Sequence, residues 1–248
     1  MAIPDRAPSA ARSGTPVPSP VEGPVWRGDY PVWTASEGRV EVRFVGRGLG
    51  GTRSAILRRV EGEEIPVAEA KQVHSDRVLR ATAGVVGEGD ALWTDRAGLA
   101  LSVITADCVP VILAERDGDR IAAVHAGWRG LVAGVIPRAI QALGAPPGEL
   151  DAWLGPAIGP CCYEVGDDVA AAGVGATSPG VMSDGERFAG ERPHLDLSAA
   201  ARHQLAAAGI GAPRVVDRCT HCDPERLWSY RREGPGGGRN VAYVWRRG

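Results

Sequence analysis

No stretch of this sequence is apolar for the roughly 18 to 20 residues that a membrane-spanning helix needs, which excludes a helical membrane protein. The opening segment, MAIPDRAPSAARSGTPVPSPVEGP, lacks the apolar middle of a secretory signal, so a cytoplasmic and reducing location is expected. Charge of one sign never accumulates. The chain carries 28 basic and 30 acidic residues, a formal charge of -2, and no block of like charge, so it has no electrostatic footprint for nucleic acid or an anionic membrane. A small-molecule partner is expected instead. Cysteine is scarce and odd in number, five in all, so free thiols or metal ligation are expected in place of a disulfide framework. Histidine also numbers five and methionine two, and no internal repeat is visible.

What is present suits one globular domain. The 248 residues, 44% hydrophobic and 23% charged, are enough for a single generous core. Residues 1–25, rich in Pro, Ser, Ala and Gly without hydrophobic periodicity, are expected to form a disordered arm, with the domain spanning 26–248. Short β-like runs recur from Val40: VEVRFV, AKQVHSDRVL, LALSVI, VPVILAE and RIAAVHA. RGLVAGVIPRAIQAL has helical spacing, with a kink expected at Pro137. Beyond it come a strand in DAWLGPAIG and a helix across DDVAAAG. A stronger helix in DLSAAARHQLAAAGI has Asp196 or Ser198 as cap and a stop at Gly209. A strand PRVVDRC and a Gly-rich loop, EGPGGGR, precede the last strand, NVAYVW. Strands outnumber helices and do not alternate regularly with them, so the fold class is α+β with mixed sheets.

Three residues stand where strand-like runs meet loops: His74 in KQVHSDRV, Cys108 in TADCVPVIL, and His125 closing RIAAVH. Three nitrogen or sulfur ligands with one open position describe a catalytic rather than a structural zinc. Their spacing matches neither a zinc finger nor H-E-x-x-H, and a buried thiol with two core histidines is the competing reading. Cys219 and Cys222 form C-T-H-C, half of a zinc ribbon or a redox pair. With no second such pair in the sequence they are read as structural. The cytidine-deaminase signature is missing, because Arg218 precedes Cys219 and Ser75 and Asp76 follow His74.

The segments QVHSDRV, GDALWTD, TADCVPVIL, AVHAGWRG, GPAIGPCCYEVG and CTHCDPERLWSYRREGPGGGR, in this order, closely resemble the YfiH family, also described as laccase-domain or multicopper polyphenol oxidases. The likeness covers roughly residues 40 to 246. It implies a four-layered α/β/β/α fold. It also implies a purine nucleoside phosphorylase acting on adenosine, inosine, guanosine and methylthioadenosine, with adenosine deaminase activity, and a zinc held by His74, Cys108 and His125. Some relatives are similar to peptidoglycan editing factors, so hydrolysis of a cell-wall precursor at the same zinc is the alternative. One departure stands out: after the first strand this chain has only RFVGRGLGGTRSAILRRV, without the family's Gly-Gly-Val-Ser and Asn-Leu-Gly stretches. Arg47 aligns with the family's arginine there. The family name also suggests copper, but five histidines cannot furnish a trinuclear cluster plus an electron-transfer copper. A single-copper oxidase of phenols would need an axial methionine, and only Met1 and Met182 are available.

Against the chemistry that the resemblance implies, further residues acquire candidate roles. The helix expected to begin near Trp128 would aim unpaired N–H groups at phosphate beside His125, with Arg129 adding charge or simply standing solvated. Asp107 is read as general base, as orienter of a ligand, or as a turn former. Gln72 binds base or ribose, or cross-links backbone. Tyr163, after Cys161 and Cys162, forms a site wall. Arg231, Arg232 and Arg239 flank the Gly-rich loop, where Arg231 is the candidate for phosphate or substrate contact. A free Cys108 nucleophile with His125 as base is the non-metal alternative. A sensing module that keeps the fold without turnover is the non-enzymatic one.

Overall fold

The structure, a computed structural model, describes residues 20–176, 182–183 and 192–248. Most of the expected N-terminal arm therefore lies outside the described residues. Its end does not behave as expected, since β1 (Glu22–Arg27) begins inside the segment assigned to the arm. The sequence there is poor in periodicity, and pairing with β2 (Tyr30–Glu37) is what orders it.

β3 (Val40–Val45) completes a meander with β1 and β2, and α1 (Arg53–Glu61) covers it. The chain then passes through β4 (Val67–Lys71), β5 (Val78–Arg80), β6 (Gly84–Glu88), β7 (Ala91–Thr94) and β8 (Ala100–Thr105). β9 (Val109–Glu115) and β10 (Ile121–Ala126) form a hairpin leading to α2 (Trp128–Ala133) and α3 (Val135–Leu143). The second half holds β11 (Leu150–Leu154), α4 (Asp167–Ala176), the short pair β12 (Met182–Ser183) and β13 (His194–Leu195), and α5 (Leu197–Ala207). β14 (Arg214–Val215), the single turn α6 (Tyr230–Glu233) and β15 (Asn240–Arg246) complete the chain.

Two mixed sheets organise these strands. One has seven strands in the order β1-β2-β3-β15-β8-β4-β6, the other six in the order β14-β11-β9-β10-β7-β5. Three buried clusters separate four layers. Ile56, Leu57 and Val60 of α1 pack on Tyr30, Val45 and Tyr243 of the first sheet. Phe44, Leu101, Ile112 and Trp153 fill the space between the sheets. Val111, Val124, Ile136, Ile140 and Leu205 lie between the second sheet and its helices. Because β9 and β10 are covered on both faces, alternate residues feed two cores: Val111 and Leu113 face the helices, while Ile112 and Ala114 face the other sheet. That double burial is why VPVILAE and RIAAVHA are apolar throughout. The α+β class and the four-layered arrangement stand as expected.

Several local expectations are corrected. The run AKQVHSDRVL is not one strand: β4 stops at Lys71 and β5 starts at Val78, and the residues between cross from the first sheet to the second. Pro137 does not kink the helix. The break falls three residues earlier at Gly134 (φ 84°), which ends α2 and caps α3, so Pro137 sits in a first turn where no N–H partner is lost. Asp196 caps α5 by accepting from the Ala199 N–H, at 2.8 Å, and Gly209 follows that helix with φ 85°.

Candidate metal centre

Two crossings between the sheets and the end of one strand build the site. Residues 72–77 carry His74 from β4 to β5, the short T-A-D-C segment carries Cys108 from β8 to β9, and β10 ends on His125 and Ala126. At these crossings the backbone leaves the β region. His74 (φ 60°) and Asp107 (φ 96°) are the only non-glycine residues with positive φ among the described residues, and both belong to the site. Such conformations are unfavourable for L-residues and persist only where surrounding bonds over-determine them.

At His74 the determining group is Asp90. Its buried carboxylate accepts the backbone N–H groups of Val73 (3.2 Å), His74 (2.9 Å) and Ser75 (2.6 Å), together with the Ser75 hydroxyl at 2.8 Å. The same carboxylate accepts from His125 Nδ1 at 2.8 Å. A carboxylate can only accept, so Nδ1 carries a proton and Nε2 is the nitrogen that faces Cys108 and would ligate a metal once deprotonated. Burial alone would raise the Asp90 carboxyl, but hydrogen bonds from His125 and Ser75 outweigh it and hold the group well below the usual carboxylate range.

The two histidine rings meet edge to face, with centroids 4.8 Å apart and an interplanar angle of 79°. His74 Nε2 lies 3.9 Å from Cys108 Sγ, and one ligand atom from each of His74, Cys108 and His125 lies within 4.8 Å of the others. A nitrogen and a sulfur on one tetrahedral zinc stand about 3.6 Å apart. The trio thus fits one ion: exposed His74, half-buried Cys108 and buried His125 surround a common point. Burial opposes ionisation of Cys108, but hydrogen bonds with His125 and His74 prevail and bring the thiol down to about 6. His125 moves the other way: burial is outweighed by Asp90 and Cys108, and its pKa rises to about 9. Cys108 therefore favours the thiolate, the form that binds metal.

The sequence-derived candidates separate into two groups. Tyr163 lies near Cys108, Arg231, Asp107 and Arg129, whose charges all act on its phenol; burial is the largest cause of its rise to about 12. The Arg231 guanidinium lies over the Tyr163 ring at 5.1 Å and donates to the Glu164 carbonyl. Arg129 is exposed beside Trp128, 4.5 Å from its ring. The Tyr163 phenol is thus within electrostatic reach of Cys108 and of both arginines.

The others are engaged in holding structure. Both ends of the Gln72 amide are used on backbone, donating to the Ile104 carbonyl at 2.7 Å and accepting its N–H at 2.8 Å, so the cross-linking alternative is the one observed. Asp107 is held in place by two hydrogen bonds. Its two oxygens accept the Thr220 hydroxyl (2.6 Å) and the Arg231 N–H (2.7 Å), which ties the Cys108 turn to the C-terminal loops. Arg47 is paired with Glu233 and stacked over Trp228 at 3.8 Å. Arg232 donates to the carbonyls of Thr220 and His221, and Arg239 to those of Gly237 and Gly238. The expected phosphate-binding helix end is also weaker than supposed, since α2 has only six residues before Gly134 breaks it. Met182 and Met1, the only conceivable axial sulfurs for copper, have side chains outside the described residues.

Asp90 is the residue that sequence reasoning missed. The available signal was an acidic residue directly before the buried strand β7, in a segment that otherwise reads as turn then strand. Gly127 is a second. A Cβ there would stand 3.0 Å from both Cys108 Sγ and His74 Cδ2, so the metal trio closes against bare backbone.

Known proteins resemble this chain in sequence and in fold. The family model described as multi-copper polyphenol oxidoreductase laccase matches residues 51–247. A Pseudomonas aeruginosa protein named purine nucleoside phosphorylase is 41% identical over 174 residues, 70% of this chain and 72% of its own. The Escherichia coli purine nucleoside phosphorylase YfiH is 36% identical over 180 residues, 71% of this chain and 72% of its own. Among solved structures, a Neisseria meningitidis protein of the DUF152 family superposes with a TM-score of 0.76 at 32% identity, covering 88% of this chain and 99% of that one.

Proposed function

Because this chain belongs to the multi-copper polyphenol oxidoreductase laccase family, whose curated relatives here carry the name purine nucleoside phosphorylase, we propose that it is a zinc-dependent purine nucleoside phosphorylase. The supporting observation is the convergence of His74, Cys108 and His125, with Asp90 setting the His125 tautomer, beside Tyr163 and two exposed arginines. The donor set of two imidazoles and a thiolate suits zinc, and zinc bound there would supply a Lewis acid with one position open to substrate.

The chain's own groups account for the rest. Phosphorolysis forms a bond from a phosphate oxygen to ribose C1′ as the bond from C1′ to the purine nitrogen breaks, yielding ribose 1-phosphate and the free base. Arg129 and Arg231 supply two positive charges for the phosphate, and a guanidinium can fork onto two of its oxygens. Tyr163 keeps its proton well above neutral pH and can donate a hydrogen bond to phosphate or to the departing purine. Asp107 positions this wall by accepting the Arg231 N–H. Adenosine, inosine, guanosine and methylthioadenosine are the proposed substrates, and adenosine deamination is a proposed side activity of the same centre.

Incubation of the purified protein with adenosine, with and without phosphate, tests this. Adenine is expected only when phosphate is present, and inosine formation independent of phosphate would report deamination. Absence of product from every purine nucleoside overturns the proposal. Release of an amino acid from a peptidoglycan precursor would favour the editing hydrolase, and oxygen uptake with phenols the single-copper oxidase. The hydrogen bond between the Cys108 thiol and the His125 imidazole favours one further reading, a cysteine nucleophile with His125 as base. Zinc that is bound by the wild type and lost in Cys108→Ala speaks against it.

A further inference from the structure

Four of the five cysteines come together away from the trio described above: the sulfurs of Cys161, Cys162, Cys219 and Cys222 all lie within 4.8 Å of one another. Cys222 Sγ stands 3.3 Å from Cys162 Sγ and 3.7 Å from Cys161 Sγ. Two thiolates on one tetrahedral zinc, with bonds of about 2.3 Å, stand about 3.8 Å apart. A disulfide requires roughly 2.05 Å. We propose that these four thiolates hold a second zinc ion, in a closed structural site that staples two loops across the candidate catalytic centre.

Three further observations support a built site. First, the two loops are already docked through backbone: Ala157 and Cys219 form a parallel bridge, and the Thr220 N–H reaches the Ala157 carbonyl at 3.0 Å. Second, each loop is shaped by polar contacts around its sulfurs. The Gly159 N–H donates to Cys219 Sγ at 3.2 Å, an N–H bond that favours a thiolate there. Arg232 holds the C-T-H-C turn by its Thr220 and His221 carbonyls, and His194 Nδ1 lies 2.5 Å from the Pro160 carbonyl. Third, a Cβ at Gly159 would stand 3.2 Å from Cys161 Sγ and 3.4 Å from Cys219 Cβ, so a bare backbone lets the two cysteine pairs close on each other.

Four sulfurs leave no open position, which assigns this ion to structure and not to turnover. Its consequence for the neighbouring centre is positional. Cys162 is followed by Tyr163, and Cys219 by Thr220, whose hydroxyl holds Asp107 next to Cys108. The second ion would thus hold Tyr163 and the Cys108 turn in register.

Metal analysis of the full chain, purified under reducing conditions, separates the two sites. Wild type is expected to hold two zinc ions per chain, and His74→Ala/Cys108→Ala, which leaves all four clustered cysteines intact, is expected to retain one. Cobalt loaded into that double variant should give the intense near-ultraviolet band of thiolate-to-cobalt charge transfer with tetrahedral visible bands. Cys219→Ser/Cys222→Ser should lose both the band and one zinc. If the serine variant fails to fold, the first variant still decides. Retention of no metal and absence of a thiolate–cobalt band would overturn the proposal. So would a disulfide between these cysteines in chain alkylated immediately on lysis. Failure of phosphorolysis with two zinc ions bound would overturn the proposed reaction and leave this site standing.

Discussion

At the scale of single residues, the candidate centre depends on groups outside the trio of possible ligands. Asp90 both sets the His125 tautomer and builds the turn that presents His74, so Asp90→Asn should weaken metal binding about 10- to 100-fold, the usual effect of losing a carboxylate behind a ligating histidine. Competition with a graded chelator measures this, and unchanged affinity would refute it. Gly127→Ala places a methyl group 3.0 Å from Cys108 Sγ and His74 Cδ2. Overpacking of that kind costs about 1–3 kcal/mol. Both reduced zinc content and a lower urea midpoint are therefore expected, and a variant with full metal content would show that the trio can move aside. That His74, Cys108 and His125 are candidates for one site is suggested in the sequence by their places at the ends of apolar runs and by the family resemblance, and the fold brings them together. Asp90 was not legible in this way, since an acidic residue before a strand looks like a turn former until its partners, 15 to 35 positions away, are known.

Elements show why the local reading failed where it did. The alternation in AKQVHSDRVL resembles a strand, but the N–H groups of Val73, His74 and Ser75 go to a carboxylate in place of a neighbouring strand. A ladder cannot continue through residues whose donors are already taken. The helical pattern after His125 was right in period and wrong in continuity. Glycine at Gly134 adopts φ 84°, which breaks it into α2 and α3 and turns the second helix onto the sheet. Gly134→Ala should therefore destabilise by about 1–2 kcal/mol, the cost of a left-handed conformation with a Cβ. Urea denaturation checks this, and a gain in stability would indicate that one continuous helix is tolerated. The cysteine clusters carry the same lesson. Cys219 and Cys222 had no second pair in C-x-x-C form, and folding supplies it as the adjacent residues Cys161 and Cys162.

For the whole molecule, stability and site chemistry are separable because the cores lie between layers and the candidate metal centre at crossings between the sheets. Leu101, fully buried between the sheets, should cost about 2–5 kcal/mol on replacement by alanine while leaving zinc content unchanged. Calorimetry and metal analysis on Leu101→Ala test this together. Removal of metal should act in the opposite manner. A ligand bound only by the folded chain stabilises it by mass action, so chelation should lower the melting temperature and added zinc restore it. An unchanged melting temperature would mean that no ion is bound in the native protein.

The sequence alone determined the composition of the layers: doubly covered strands must be apolar on both faces, and amphipathic helices must show a helical period, so both leave patterns in consecutive residues. It also determined which side chains could ligate a metal. Only the tertiary structure decided that two sheet-to-sheet crossings and one strand end meet at a point, and that Asp90 organises them. It alone decided that four cysteines from two distant loops share one volume. Contacts of that kind depend on the relative placement of whole sheets, and no pattern of neighbours along the chain encodes the distance between residues that only packing brings together.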